Sequence, residues 1–232
     1  WRTFVEPGTL FYFGRALRGT ALAALGSAAI AVPLGLLLAF GRLSRHRALR
    51  WPSTAVIEFF RAVPVLLIIY VFMFALPQYG INPSTFWKLV VPIGLCAAAV
   101  LAEVFRAGVL AIPRGQTEAG YAIGLPEGRA LRIVVFPQAL RLVVPSLVAQ
   151  AVVVVKDTAF GYVVSYPELM QSGKVLVANT GDLVQTYFVI TVIYVLVNLS
   201  ISAVAQRLEK RLNGRQGATI ALLPRLRRQP LA

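Results

Sequence analysis

The chain has 232 residues, 58% of them hydrophobic, with a formal net charge of +14 and a mean hydropathy of +0.73, too apolar for an ordinary soluble domain. Basicity alone would suit a nucleic-acid binder, but here the basic residues sit between and after apolar runs, the pattern of membrane topology and of contact with anionic lipid, so no nucleic-acid partner is expected. One cysteine, Cys96, and one histidine, His46, exclude a disulfide framework, a zinc or catalytic metal site and a Ser-His-Asp or Cys-His hydrolase.

Residues 1–18 read as an external amphipathic lead-in, with Leu10, Phe11 and Phe13 toward lipid while Arg15 and Arg18 snorkel. The start at Trp1 rather than Met reads as a trimmed or partial amino terminus. The first apolar run is too long, and lacks a small-residue cleavage pattern, for a cleavable signal. That run, 19–41, carries no charge; at about 1.5 Å per residue it reaches about 35 Å, against a hydrocarbon core of about 30 Å. Four more spans follow at 55–76, 89–112, 142–164 and 183–205. Helices are the default spanning element, because each satisfies its own backbone polar groups. The chain therefore divides into the lead-in, a five-helix domain over 19–206 and a basic tail over 207–232.

Orientation follows from the basic residues. The loop after span one holds Arg42, Arg45, Arg47 and Arg50; the loop after span three holds Arg114, Arg129, Arg132 and Arg141; the tail is rich in arginine from Arg207 onward. The other side holds Arg2, Arg15, Arg18, Lys88 and Lys174. Positive-inside bias puts the amino terminus outside and the carboxyl terminus in the cytoplasm of a bacterial plasma membrane.

Spans two, three and four carry charges. Glu58 with Arg61, and Glu103 with Arg106, repeat one pattern of Glu and Arg at i, i+3, on one helical face where each pair can self-neutralise. Glu103 and Arg106 read as an ion pair reaching the interface, since Pro113 and Arg114 follow. For Glu58 and Arg61 a ligand role stays open, because Pro64 can break the helix beside them and free backbone groups. Lys156, Asp157 and Thr158 lie inside the fourth span. Neighbours on a helix point about 100° apart, so Lys156 and Asp157 need partners elsewhere, and ionisable groups inside a membrane are functional candidates. A zwitterionic amino acid needs a cation for its carboxylate and an anion or carbonyl for its ammonium. Lys156, Arg61, Asp157 and Glu58 supply both signs.

Residues 118–137, EAGYAIGLPEGRALRIVVFP, form a polar island between spans three and four. Charges there belong in water, and a glycine-punctuated helical element held between two spans suits docking of a soluble partner. Glu118-Ala119-Gly120, three residues, Gly124, nine residues, Val134, one residue and Phe136-Pro137 resemble the EAA loop of ABC importer permeases, departing from it at Gly120, Val134 and Phe136 with small or apolar exchanges. E-F-F-R-A-V-P (58–64), A-E-V-F-R-A-G (102–108), P-R-G-Q (113–116), F-P-Q-A-L-R (136–141), K-D-T-A (156–159) and Y-P-E-L (166–169) resemble the polar amino-acid permeases of these importers over about residues 15–212. The segments A-V-P-V-L-L and K-D-T-A-F-G-Y look most like actinobacterial glutamate permease subunits, with Ala159-Phe160 a departure from the commoner Ser-Leu.

The resemblance implies an all-α integral membrane protein, the permease of a type I ABC importer, with five transmembrane helices and a cytoplasmic coupling helix in the loop 113–141. It implies Glu118, Ala119, Gly120, Gly124 and Pro137 as the ATPase-coupling residues. It also implies a second permease subunit, identical or paralogous, two ATP-binding-cassette ATPases and an extracytoplasmic solute-binding protein, besides membrane lipid. The chain has no phosphate loop, so ATP and Mg are expected on the partner ATPases and none is expected on this chain. The expected cargo is glutamate, aspartate or glutamine, with a basic amino acid such as arginine as the alternative. Two other classes, a non-ABC channel and a membrane scaffold, would need no docking loop and no charged pair in a span, respectively.

Overall fold

The computed structural model describes residues 1, 4 and 6–220, with side chains described up to residue 207; the last part of the basic tail, 221–232, lies outside the described residues. Among them every regular element is helical: α1 (Pro7–Leu43), α2 (Arg47–Ala62), α3 (Val65–Tyr70), α4 (Thr85–Leu110), α5 (Arg114–Ala122), α6 (Phe136–Asp157), α7 (Leu169–Thr180) and α8 (Leu183–Ile220). Four stretches are long and apolar enough to cross a membrane: Pro7–Leu43, Thr85–Leu110, Glu127–Val163 and Leu183–Arg207. A bent pair, Arg47–Ala62 with Val65–Tyr79, passes the same test only when its two legs are taken together.

α1 and α4 form the centre. The buried stripe of α1 is almost wholly small, Ala16, Gly19, Thr20, Ala23, Ser27, Ala31, Gly35 and Ala39, at helical spacing. Small side chains let backbones approach closely, which is how helices associate where lipid removes any hydrophobic drive between them. The facing residues of α4 are larger, with Leu89, Val90, Ile93 and Leu101 buried beside Ala98 and Ala102. In its most apolar stretch α4 is 67% buried against 11% for α8, so α4 is the mast of the fold and α8 is left facing outward.

The structure corrects the lead-in, the side taken by Phe13 and the loop around Lys174, and shows the second span broken where Pro64 allowed it. The lead-in over 1–18 is not set apart from the first span, because α1 runs unbroken from Pro7. Within it Phe13 does not face lipid: it is 6% exposed and packs with Ala16, Leu169 and Ile190, while Leu10 and Phe11 stay exposed as expected. The span over 55–76 is two legs meeting at 96°. Pro64 disfavours helical geometry at the residue before it, and Val63 is accordingly extended at φ −88°, ψ 126°. The external loop expected around Lys174 contains a twelve-residue helix, α7, closed by Gly181.

Candidate functional site

The docking loop is built from short-range chemistry. α5 ends at Gly124, whose φ of +80° is left-handed and easy only for glycine. The amides of Gly124 and Leu125 donate back to the carbonyls of Tyr121 (2.9 Å) and Gly120 (3.1 Å), closing the helix end. Gly120 is buried, and a Cβ there would lie 3.2 Å from that of Ala130, which accounts for glycine where the family motif has alanine. Glu118, Ala119 and Ile123 point outward, Ile123 at 77% exposure. Gln138 Nε2 donates to Gln116 Oε1 (3.1 Å) and to the Val134 carbonyl (2.8 Å), tying α5 to the start of α6. There the backbone widens into a π-turn over Ala130–Val135, which accommodates the missing amide of Pro137 without breaking the rod.

Next to this loop the two i, i+3 pairs are joined. Arg42, at the end of α1, donates from Nη1 to Glu58 Oε1 (2.9 Å) and Glu103 Oε1 (2.7 Å). Arg106 bonds Glu103 Oε2 through Nε (3.1 Å) and Nη2 (2.8 Å), and Arg61 reaches Glu58 Oε2 at 3.4 Å. Glu103 and Arg106 thus form the ion pair expected of them. Arg42 is the member missed in the sequence, where it reads as one of several loop arginines. Arg45 pairs with Glu127 at 2.8 Å, linking the α1–α2 turn to the docking loop.

Lys156 and Asp157 close α6, after which the chain tightens into a 3₁₀ run, Thr158–Val163. Lys156 is exposed and lines a groove of about 560 Å³ with Met170, Tyr187, Thr191, Tyr194 and Asn198. Asp157 is half-buried on the adjoining face. Thr158 is fully buried and donates to the Val155 carbonyl at 2.6 Å, so its hydroxyl holds the turn. Arg61 lines a different hollow, with Glu103, Leu142 and Ser146. Of the three, only Lys156 lines the groove: Asp157 sits on the adjoining face and Thr158 is buried, while Glu58 and Arg61 are gathered separately at the other end.

Behind the Lys156 groove stands Glu168, the N-cap of α7 and fully buried. Its carboxylate accepts from the amides of Gln171 (2.6 Å) and Met170 (2.8 Å) and from the Tyr194 hydroxyl (3.1 Å). Burial pushes the carboxyl up to about 7, opposed by these hydrogen bonds. Tyr166 donates to the Gly19 carbonyl (3.2 Å) and the Leu169 amide to Thr20 Oγ1 (3.2 Å), so α1 and α7 are pinned at one point. Glu168 lies in the Y-P-E-L segment that carries the family resemblance, but nothing there marked it as a site residue. Nothing in the sequence marks Thr191, Tyr194 or Asn198, which arrive from another span. Asn198 Oδ1 is buried and accepts no hydrogen bond among the described residues.

A helical bundle with several apolar spans, an exposed helix between two of them and a lysine-lined groove is the build of a membrane permease. Residues 31–214 match the family described as binding-protein-dependent transport system inner membrane component, and the chain belongs to that family as a multi-pass membrane protein with the type I ABC importer fold. The glutamate transport system permease protein GluD of Corynebacterium glutamicum is 34% identical over 215 residues, 91% of this chain and 76% of that protein. The arginine transport system permease protein ArtQ of Bacillus subtilis is 29% identical over 187 residues, 80% of this chain and 85% of that one. A solved amino acid ABC transporter with histidines superposes at a TM-score of 0.82 with 27% identity, over 86% of this chain and 94% of its own.

Proposed function

We propose that the chain is the permease subunit of an ATP-driven importer of polar amino acids, with glutamate, aspartate or glutamine as cargo. The observation that carries this is the pairing of an outward docking helix, α5, with a lysine-lined groove between α6, α7 and α8. Lys156 holds a cargo carboxylate and Asp157 its ammonium, while Arg61 and Glu58 line the mouth on the docking-loop side. Two separate ATPase subunits, carrying ATP and Mg, seat on Glu118, Ala119 and Ile123; the turn Gly120–Gly124 and the Pro137 junction pass their closure on to α6. Coupling requires the ATPases to prefer one permease state over another. The amino terminus lies outside and the carboxyl terminus in the cytoplasm, so an extracytoplasmic binding protein delivers cargo at the α7 end. A second permease copy covers the outward face of α8, where Phe188, Val195, Leu196 and Leu199 are exposed. Hydrolysis belongs to the partners, and this chain acts as a conduit.

A basic cargo is the second reading, favoured by the arginine relative and by the carboxylates near the groove. Uptake into vesicles holding the permease, its ATPases and the binding protein separates the two. With Lys156→Ala, glutamate uptake should fall roughly tenfold or more, the loss of one charge-assisted hydrogen bond. A normally folded Lys156→Ala complex importing glutamate at the native rate would remove Lys156 from the site. Import of arginine with glutamate ignored would replace the cargo and leave the permease reading intact.

A further inference from the structure

α2 departs from the pattern of the spanning helices. Over its 16 residues only Ile57 is buried. Arg47 and Arg50 stand exposed beside Leu49 (55% exposed), Trp51 (70%) and Phe59 (57%), and the leg that follows turns away by 96°. A helix with one buried residue, set at 96° to the leg that follows, suits the membrane surface better than its interior. Arginines together with Trp, Leu and Phe on a helix in that position are the composition of an interfacial helix, with tryptophan at headgroup depth.

At its first turns a hollow of about 470 Å³ opens between the ends of α1, α2 and α4. Arg42, Arg45, Arg50 and Arg106 line it with Trp51 and Leu110, and no acidic side chain does. Arg42 and Arg106 are held in place by Glu58 and Glu103, and Arg45 by Glu127. Neither Arg47 nor Arg50 has an ion pair among the described residues. Guanidinium groups fixed by carboxylates on one side present their remaining donors on the other, and their planar forks match phosphate oxygens.

We infer that this hollow binds the phosphate headgroup of an anionic membrane lipid, with α2 lying along the leaflet and Trp51 beside the headgroup. The site goes beyond the transport reading and needs only the membrane embedding of the family. Because Arg45 also holds Glu127, an occupied site braces the middle of the loop 113–141.

Trp51 is its own probe. The complete transporter is reconstituted with brominated phosphatidylglycerol or brominated phosphatidylcholine at equal mole fraction, and the emission of a Trp51→Phe complex is subtracted. Phosphatidylglycerol should quench the Trp51 emission more strongly. In the Arg50→Gln protein, altered at an exposed position of the lining with no ion pair among the described residues, that preference should weaken about fivefold. Raising salt should weaken it further in the native protein. Equal quenching by the two lipids overturns the assignment. So does protection of Trp51 from both, which would mean that a partner protein covers α2. Competition by inorganic phosphate against phosphatidylglycerol quenching would also overturn it, turning the hollow into a soluble-anion site.

Discussion

The two ends of the bundle handle buried charge in opposite ways. At the docking-loop end, Arg42, Arg61 and Arg106 share two carboxylates, Glu58 and Glu103, from three helices, and several of these groups are partly exposed. At the far end Glu168 is sealed from solvent and meets no cation among the described residues; two backbone amides and one phenol hold it. An exposed ion-pair cluster has many near-equal arrangements, because water replaces any lost contact at small cost. A sealed carboxylate held by dipoles has one, since each lost bond leaves a polar group stranded. Contacts are thus exchangeable at the α5 end and fixed where α1, α7 and α8 meet.

The sharpest way to break that comparison is at Glu168. Glu168→Ala strands two amides and the Tyr194 hydroxyl and removes a helix cap, and should cost about 3 kcal/mol or more in thermal unfolding. Glu168→Gln should cost less. Because the folded carboxyl is raised to about 7, the folded protein holds a proton that the unfolded chain releases above the ordinary glutamate range. Native stability should therefore decline as pH rises from about 4.5 to about 7, and that slope should vanish in Glu168→Gln. A slope of the same size in the Gln protein would place the titration elsewhere.

A smaller effect is expected at the docking helix. Glu118→Lys should leave insertion and melting unchanged while ATP-driven uptake falls roughly tenfold, within the usual range of coupling energies. Normal uptake by that protein in the assembled complex would take Glu118 out of the dock. Smallest is the effect at the α5 end: Arg42→Gln should cost only about 1 kcal/mol of stability. A cost near that of Glu168→Ala would show the cluster to be as fixed as the far end, and the contrast between the ends would be lost.

What could be read ahead depended on the range of the interaction. The apolar runs marked the spans because crossing a bilayer is a matter of local length and charge, and the break in the second was legible at Pro64 for the same reason. The helix end at Gly124 was legible because a left-handed glycine closing a helix is decided within a few residues. The pair Glu103 and Arg106 lies one helical turn apart and announced itself.

Partners brought from other helices left no trace of that kind. Arg42 meets Glu103 across 61 positions of sequence, and Tyr194 meets Glu168 across 26. Phe13 turns inward because α7, invisible as a helix in the sequence, packs against it. Sequence by itself determined the spans, the docking helix and the identity of the charged residues, since each follows from hydrophobic length, turn chemistry or residue type. Only the tertiary structure decided which charges share a site, setting Lys156 in a groove with α8 and Arg61 apart with Glu58, because helix packing and not spacing along the chain sets distances between spans.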